Sequence, residues 1–316
     1  MLIPTPLFED PIFAAPTDPV IIRNEEEESW WLLYTQRRPS FADIGFSGVH
    51  GTKIGIASSK DWKKWVYRGV LAGLDFEEGH NTFWAPEIIR ENGKYHMYVS
   101  YITGIPVDWD YPRHIVHYTA DDLWHWKLEG IVPLSSERVI DACVYQTAPG
   151  KYKMWYKDEN NHSYSYAAVS DDLYNWNVLG KEVFDCPHEG PNVFELGGKK
   201  WMITDCWNGL AVYSSPDFAH WERQEGNFLQ GEGTRVKDNG KGHHADVLVS
   251  GERAFIFYFV HHRMNEAGIL EFQKGNTVIQ AAELKVENGL LTCNRDDGFD
   301  IPPLNNIAQP SWKSPR

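Results

Sequence analysis

One motif occurs four times along the chain, as SKDWKKW (59–65), ADDLWHW (120–126), SDDLYNW (170–176) and SPDFAHW (215–221). The intervals between the last tryptophans of successive copies are 61, 50 and 45 residues. A repeat of about 40–60 residues with four short strands in each unit is typical of propeller blades. The conserved spacing of an aspartate and a tryptophan predicts a turn whose indole packs between adjacent blades, at Trp65, Trp126, Trp176 and Trp221.

The segments between these motifs read as strands. Aromatic and aliphatic runs, such as WWLLY at 30–34 and RAFIFYFV at 253–260, follow turn signals such as Asn92-Gly93. A shorter apolar strand precedes each run. The sequence therefore predicts an all-β fold, a five-bladed β-propeller with four-stranded antiparallel blades, whereas a β-sandwich would not explain the repeat.

The predicted propeller is a single domain over residues 1–316. Its blades are expected at about 14–72, 83–134, 138–184, 188–229 and 243–295. In the fifth blade the strands are expected at 246–249, 254–260, 268–272 and 281–286, and an irregular segment after Asp297 closes the chain.

The composition limits the partners. The chain has 316 residues with 30 Lys and Arg against 44 Asp and Glu, a net charge of −14. This charge argues against nucleic acid and anionic membranes as partners. The four cysteines lack metal-binding spacings and are expected to be free thiols. No apolar segment approaches the roughly 20 residues of a membrane span. The N-terminus lacks a signal-peptide pattern, which predicts a cytoplasmic protein, or a periplasmic or secreted one if a signal has been removed.

Each predicted blade begins beside an ionisable residue, in TDPVII, APEII, DACVY, HEGPNVF and HHADVLV. The first strand of a propeller blade lines the central channel, so these residues should meet in one pocket: Asp18, Glu87, Asp141, Glu189 and the His243-His244 pair. Carboxylates that share a pocket repel one another, and their pKa values separate. One can then act as a base while another holds a proton, which is the division of labour in glycosidic bond cleavage.

The order TDP, WAPE (84–87), IDACVY and EGPNVF resembles glycoside hydrolase family 43 over about residues 14–262. The resemblance implies an inverting glycosidase, in which Asp18 is the general base, Glu189 the general acid, and Asp141 the residue that raises the pKa of the acid and orients substrate. The chain departs from the family pattern in having Ala142 after Asp141 and a glutamate at position 87, where an aspartate is common.

Three other interpretations remain. The His188-Glu189 pair is also similar to family 117, the anhydrogalactosidases of red-algal galactans, which would make His188 the acid. A retaining fructan or sucrose hydrolase of family 32 is disfavoured, because the WMNDPNG-like and RDP motifs are missing. A non-catalytic carbohydrate-binding propeller would be expected to lack one of Asp18, Asp141 and Glu189, and all three are present.

Two loops, 36–52 and 103–113, are longer than a blade needs and are expected to rise over the pocket mouth. The residues predicted to bind substrate are Arg37, His50, Trp84, Glu87, Trp109, Trp207 and His262, with Arg38, Arg113, His261 and Arg263 as further candidates. Aromatic stacking in a deep pocket favours exo-action on an oligosaccharide or polysaccharide fragment that ends in an arabinofuranoside, xyloside or galactose-type sugar. No cofactor is required, although family 43 resemblance implies calcium or sodium on the axis near His244.

Overall fold

The computed structural model describes residues 2–38, 48–262 and 275–302. Within these ranges, twenty strands form five separate four-stranded antiparallel sheets, and the one helical element is a single 3-10 turn, Glu159–Asn161. In every sheet the strands follow chain order from the innermost outward. The prediction of a five-bladed propeller is therefore confirmed.

The strands are assigned to blades in chain order. Blade 1 contains β1 (Pro16–Asn24), β2 (Ser29–Gln36), β3 (Lys53–Ser59) and β4 (Val66–Val70). Blade 2 contains β5 (Thr82–Glu91), β6 (Lys94–Ile102), β7 (His114–Ala120) and β8 (Lys127–Ile131). Blade 3 contains β9 (Val139–Ala148), β10 (Lys151–Asp158), β11 (Tyr164–Ser170) and β12 (Asn177–Val183). Blade 4 contains β13 (Glu189–Leu196), β14 (Lys199–Asp205), β15 (Leu210–Ser215) and β16 (Glu222–Phe228). Blade 5 contains β17 (Gly242–Ser250), β18 (Arg253–His261), β19 (Thr277–Glu287) and β20 (Leu290–Cys293).

The outer half of the fifth blade differs from the prediction. Its expected third strand at 268–272 lies outside the described residues, and the expected last strand at 281–286 is part of the third strand, β19. The last strand is β20, which follows the tight turn at Asn288-Gly289. Both turn residues have positive φ, 52° and 79°. An Asn-Gly pair between two strands is a strong hairpin signal, and the prediction overlooked it at this position.

The repeated motif forms one kind of turn in all four copies. The carboxylate of its third residue accepts backbone N–H bonds from the residues two and three positions later; Asp122, for example, binds the N–H groups of Trp124 and His125 at 2.9 and 2.8 Å. The tryptophan that ends each copy packs in the apolar cluster between its own blade and the preceding one. The predicted packing role of these indoles is confirmed.

The inner strands are joined around the ring by hydrogen bonds from one blade to the next. Each bond connects a side chain to a backbone N–H of the following inner strand. Glu87 accepts from Val144 at 2.8 Å, Cys143 from Val193 at 3.3 Å, and Asp246 from Ile21 at 2.8 Å. We call the residues that hold these acceptors the ring positions; they fix each inner strand against its neighbour.

The ring closes between blades 5 and 1 without exchange of a strand. The N-terminal segment bridges to β19 at Phe8 and Ile279, and Leu7 and Phe8 join the apolar cluster between the two blades. Ile3 donates its N–H to the carbonyl of Phe299, 3.0 Å away. The N-terminal segment thus shares in the closure that was expected of the C-terminal tail. No helix among the described residues is long and apolar enough to cross a membrane.

Candidate active site

The side chains at the ends of the inner strands are aimed by a repeated bulge. The pairing of the inner strand with its neighbour is interrupted near the start of every blade. In four blades the first interrupted residue has positive φ: Asp18 (50°), Ala85 (44°), Asp141 (58°) and Gly190 (56°). Bulges of this kind redirect a side chain out of the regular alternation of a strand. In blade 5 the interruption is the single residue His244.

The comparison of motifs treated the five ionisable positions as equivalent. The bulges show that they are not. Asp18 and Asp141 both occupy the bulge. Glu189 lies one residue before it, and Glu87 lies two residues after Ala85, at a ring position. Since side chains alternate between the faces of a strand, these offsets send the carboxylates in different directions.

A cavity of about 460 Å³ opens where the bulges meet. It contains three of the four predicted catalytic residues and the His243-His244 pair of blade 5. It is lined by Asp18, Arg37, Val49, Trp84, Trp109, Arg113, Ile140, Asp141, Lys157, Glu159, Glu189, Trp207, His243, His244, Phe259 and His261. The convergence of Asp18, Asp141 and Glu189 is thus observed, although their chemical roles remain predictions.

Asp18 is buried between two cations. Its Oδ2 is 3.6 Å from the Arg37 guanidinium, and its Oδ1 is 3.5 Å from Nδ1 of His244. The hydroxyl of Thr17 also donates to Oδ2, at 3.0 Å. Burial alone would raise the pKa of Asp18, but Arg37 and His244 outweigh it and hold that pKa well below its usual range. Asp18 is therefore ionised at neutral pH.

Asp141 and Glu189 share a second group of charges. Burial and the negative charge of Glu189 raise the pKa of Asp141 to about 7, against the opposing effect of His244. Burial would also raise the pKa of Glu189, yet the ammonium of Lys157, 2.9 Å away, lowers it. Lys157 thus opposes the expected elevation of the Glu189 pKa by Asp141, and burial raises the pKa of Asp141 instead.

Lys157 and Glu159 were missed by the sequence analysis. Lys157 is buried at the end of β10 and contacts Glu159 at 3.2 Å as well as Glu189. Glu159 is also paired with Arg113, at 3.1 Å. The available signal was the charged run KDE that ends the aromatic segment KMWYKDE (153–159). Charged residues are rarely buried without a partner, so a charged run on a core strand indicates ion pairs.

His188 is directed away from the cavity. Its ring is fully buried: Nδ1 donates to the carbonyl of Cys186 at 2.8 Å, and Nε2 accepts from the hydroxyl of Ser165 at 2.7 Å. Burial lowers the pKa of His188. The interpretation of His188 as proton donor is therefore wrong on geometric grounds, because neighbouring residues of a strand face opposite sides and Glu189 is the one that faces the cavity.

His244 is held as a cation. Burial opposes its charge, but the hydrogen bond to Asp18 and the carboxylates of Asp141 and Glu189 raise its pKa to about 9. Its ring lies against Gly190, where a Cβ would come within 2.6 Å of ring atoms, so glycine is needed at this bulge. A protonated imidazole offers no lone pair to a metal. Among the described residues, no set of three or more His, Cys, Asp and Glu side chains is arranged to hold a metal ion. The calcium or sodium predicted near His244 stays a prediction.

The predicted substrate-binding residues divide into two groups. Arg37, Trp84, Trp109 and Trp207 line the cavity. Trp207 also donates its indole N–H to Oε1 of Glu189, at 2.9 Å.

Glu87, His50 and His262 are not among the lining residues. His50 is buried behind Trp84 and Trp109, with ring centres 5.0 and 5.4 Å away. His261 reaches the cavity in place of its neighbour His262, because β18 ends between them. Phe259 and Ile140 also line it, on strands whose apolar sequence gave no sign of a binding role.

Replacement of Glu87 distinguishes its structural role at a ring position from the predicted role in substrate binding. We expect Glu87→Ala to lower the free energy of unfolding by about 1–3 kcal/mol, since the buried N–H of Val144 loses its acceptor. Urea unfolding measures this loss, and activity per folded molecule should stay near that of the unmodified protein. Glu87→Gln, which keeps an acceptor oxygen, is the matched control. A large loss of activity at unchanged stability in Glu87→Ala would instead favour substrate contact.

No protein-family model matches the sequence, and no curated protein matches it. Solved structures do match, and they define the class of fold as the five-bladed propeller found in glycoside hydrolases. A thermostable family-43 glycoside hydrolase aligns over 98% of this chain and 100% of its own, with a TM-score of 0.67 and 19% identity.

An exo-1,5-α-L-arabinanase from a bovine ruminal metagenomic library covers 90% of this chain and 97% of its own, with a TM-score of 0.63 and 16% identity. The sucrose-6-phosphate hydrolase of Lactobacillus gasseri covers 89% of this chain and 61% of its own, with a TM-score of 0.66 and 16% identity. The expected likeness to family 43 is thus confirmed for the fold, whereas the similarity to family 117 stays a prediction.

Proposed function

We propose that this protein is a glycoside hydrolase that cleaves O-glycosyl bonds by general acid–base catalysis. The observation that supports the proposal is the convergence of three carboxyl groups in one cavity. Asp18 lies against Arg37 and His244, which lower its pKa, whereas burial raises the pKa of Asp141 beside Glu189 to about 7. An ionised carboxylate and a protonated carboxyl group are the two reagents that hydrolysis of a glycoside needs.

Asp18 is the general base in this proposal. It takes a proton from a water molecule, and the hydroxide attacks the anomeric carbon as the glycosidic C–O bond breaks. Arg37 and His244 keep the carboxylate charged and oriented before the reaction. Attack by water on the face opposite the leaving group inverts the anomeric configuration.

The Asp141–Glu189 pair supplies the second proton, which goes to the departing glycosidic oxygen. Within this pair, Glu189 delivers the proton, because its side chain is 26% exposed and accepts a hydrogen bond from the cavity residue Trp207. Asp141 is nearly buried and donates no proton to substrate directly; it holds the proton when Glu189 is ionised. After one turnover Asp18 is protonated and the pair has lost its proton, and exchange with solvent restores both.

The cavity supports exo-action on a terminal sugar. Arg37 and Val49 from one long loop, and Trp109 and Arg113 from the other, contribute to its walls. Trp84, Trp109 and Trp207 offer aromatic faces on which sugar rings stack. Terminal arabinofuranosyl, xylosyl and galactose-type residues of plant or algal polysaccharide fragments are the proposed substrates. The fold shared with an exo-1,5-α-L-arabinanase is a reason to test arabinan first.

A panel of aryl glycosides and oligosaccharides of these sugars tests the proposal. We expect release of one monosaccharide with an anomeric configuration opposite to that of the substrate. Proton NMR in the first minutes of the reaction measures this configuration. Retention would overturn the inverting mechanism, and internal cleavage would overturn exo-action. Saturable binding of a sugar without turnover would overturn the proposed enzymatic activity and favour a carbohydrate-binding propeller.

A further inference from the structure

Lys157 departs from a pattern that three of the other four blades keep. It occupies the place on the second strand of blade 3 that faces the start of the bulge, and the corresponding residues elsewhere are Thr35, Ser100, Asp205 and Phe259. Three of these accept the backbone N–H of the bulge residue in the following blade: Thr35 from Ala85, Ser100 from Asp141, and Asp205 from His244. These side chains have a structural task in joining the blades.

A lysine has three donors and no acceptor, so it cannot perform this task. In blade 3 the carboxylate of Asp141 does so instead: its Oδ2 accepts the N–H of Gly190, at 3.2 Å. Lys157 is therefore not needed to accept a backbone N–H of the following blade. Its ammonium lies 2.9 Å from Oε2 of Glu189, 3.2 Å from Oε1 of Glu159 and 5.3 Å from the ring centre of Trp207.

These contacts form one buried row of alternating charge: Arg113, Glu159, Lys157 and Glu189. The other charged groups that influence Glu189 are His244 and Asp18 from blades 5 and 1, and Asp141 from blade 3. Lys157 has the direct hydrogen bond to Glu189 among these groups. A buried ammonium at this distance strongly favours the ionised carboxylate.

We propose that Lys157 is a positioning residue that decides which of Asp141 and Glu189 carries their shared proton. In the free protein it keeps Glu189 ionised, so the proton rests on Asp141. A sugar that enters beside Trp207 competes for the hydrogen bonds of Glu189 and lets the proton pass to Glu189, from which it reaches the leaving oxygen. No electron is transferred, and the one proton is conserved. This inference rests on the proposed glycosidase function.

The pH dependence gives a direct test. The raised pKa of Asp141 means that the pair holds its proton below about pH 7 and loses it above, so kcat/KM of the unmodified enzyme should fall as pH rises through about 7. Lys157→Met removes the cation and makes ionisation of the pair harder. The alkaline limb of its profile of kcat/KM against pH should therefore move to higher pH by about 1–3 units, which is the usual effect of a nearby opposite charge on a pKa.

Two further variants separate charge from packing. Lys157→Arg keeps the positive charge and should keep the limb near that of the unmodified enzyme. Glu159→Gln removes the carboxylate that competes with Glu189 for Lys157, so its limb should move in the opposite direction, to lower pH. A merely structural lysine would lower activity at every pH and would leave the position of the limb unchanged.

A titration that needs no substrate keeps the inference distinct from the proposed function. Carboxyl ¹³C resonances of Asp141 and Glu189, assigned with Asp141→Asn and Glu189→Gln, should show a higher pKa for Glu189 in Lys157→Met than in the unmodified protein. Equal titration curves would overturn the inference even in an active enzyme. If the curves shift as expected but no glycoside is cleaved, the proton assignment stands and the proposed reaction fails.

Discussion

Asp18→Asn is expected to lower kcat/KM by about 10²–10⁴-fold, the range over which a positioned general base contributes. The amide has nearly the shape of the carboxylate but cannot accept a proton from water. Its pairing with Arg37 and His244 is lost as well, so the cavity becomes more positive. Initial rates on the best glycoside of the panel measure the effect.

A control for the chemical change itself is available in the same blade. Asp61→Asn makes the same substitution in an outer turn, where Asp61 accepts the N–H groups of Lys63 and Lys64 and an amide oxygen can replace it. Its activity should match that of the unmodified protein. If Asp18→Asn retained more than about a tenth of the activity while remaining folded, Asp18 would not be the base, because a general base is worth far more than that.

Glu189→Gln is expected to cause a comparable loss, with one diagnostic difference. The protonated acid is needed only when the leaving group is a poor one, such as the hydroxyl of another sugar. On an aryl glycoside with an acidic phenol, protonation matters little, and most of the rate should return. Asp18→Asn should show no such recovery, since attack by water still requires a base.

The ratio of rates on the activated glycoside and on the natural linkage therefore distinguishes the two carboxylates. Asp141→Asn tests the third: it is neutral at every pH and cannot store a proton. The proton must then reside on Glu189, whose pKa Lys157 lowers, so the alkaline limb of the pH profile should move to lower pH. An unaltered leaving-group dependence in Glu189→Gln would contradict its role as proton donor.

The fold and the three carboxylates were predictable because both depend on the period of the chain. Four copies of one turn motif set the blade length, and the blade geometry brings Asp18, Asp141 and Glu189 together whatever their distance in sequence. Prediction failed where the register within a blade decides the outcome. A two-residue bulge moves Glu87 to a ring position, and strand alternation turns His188 into the interior.

The cations of the site were harder to predict for another reason. Lys157 contacts Glu189 across the boundary between blades 3 and 4, and its importance appears only when the equivalent residues of the other blades are compared in space. Arg113 was a candidate for substrate binding and does line the cavity, but its burial against Glu159 and two indoles could not be read from the sequence. Pairings of this kind depend on which side chains face one another after assembly.

The separation between bulge positions and ring positions has a bearing on how such proteins diverge. Residues such as Glu87, Cys143 and Asp246 hold neighbouring blades together, so a change there weakens the whole ring. The bulges, two residues earlier, already tolerate Asp, Ala and Gly on the same backbone. New chemistry can therefore arise at the axis while assembly is inherited unchanged.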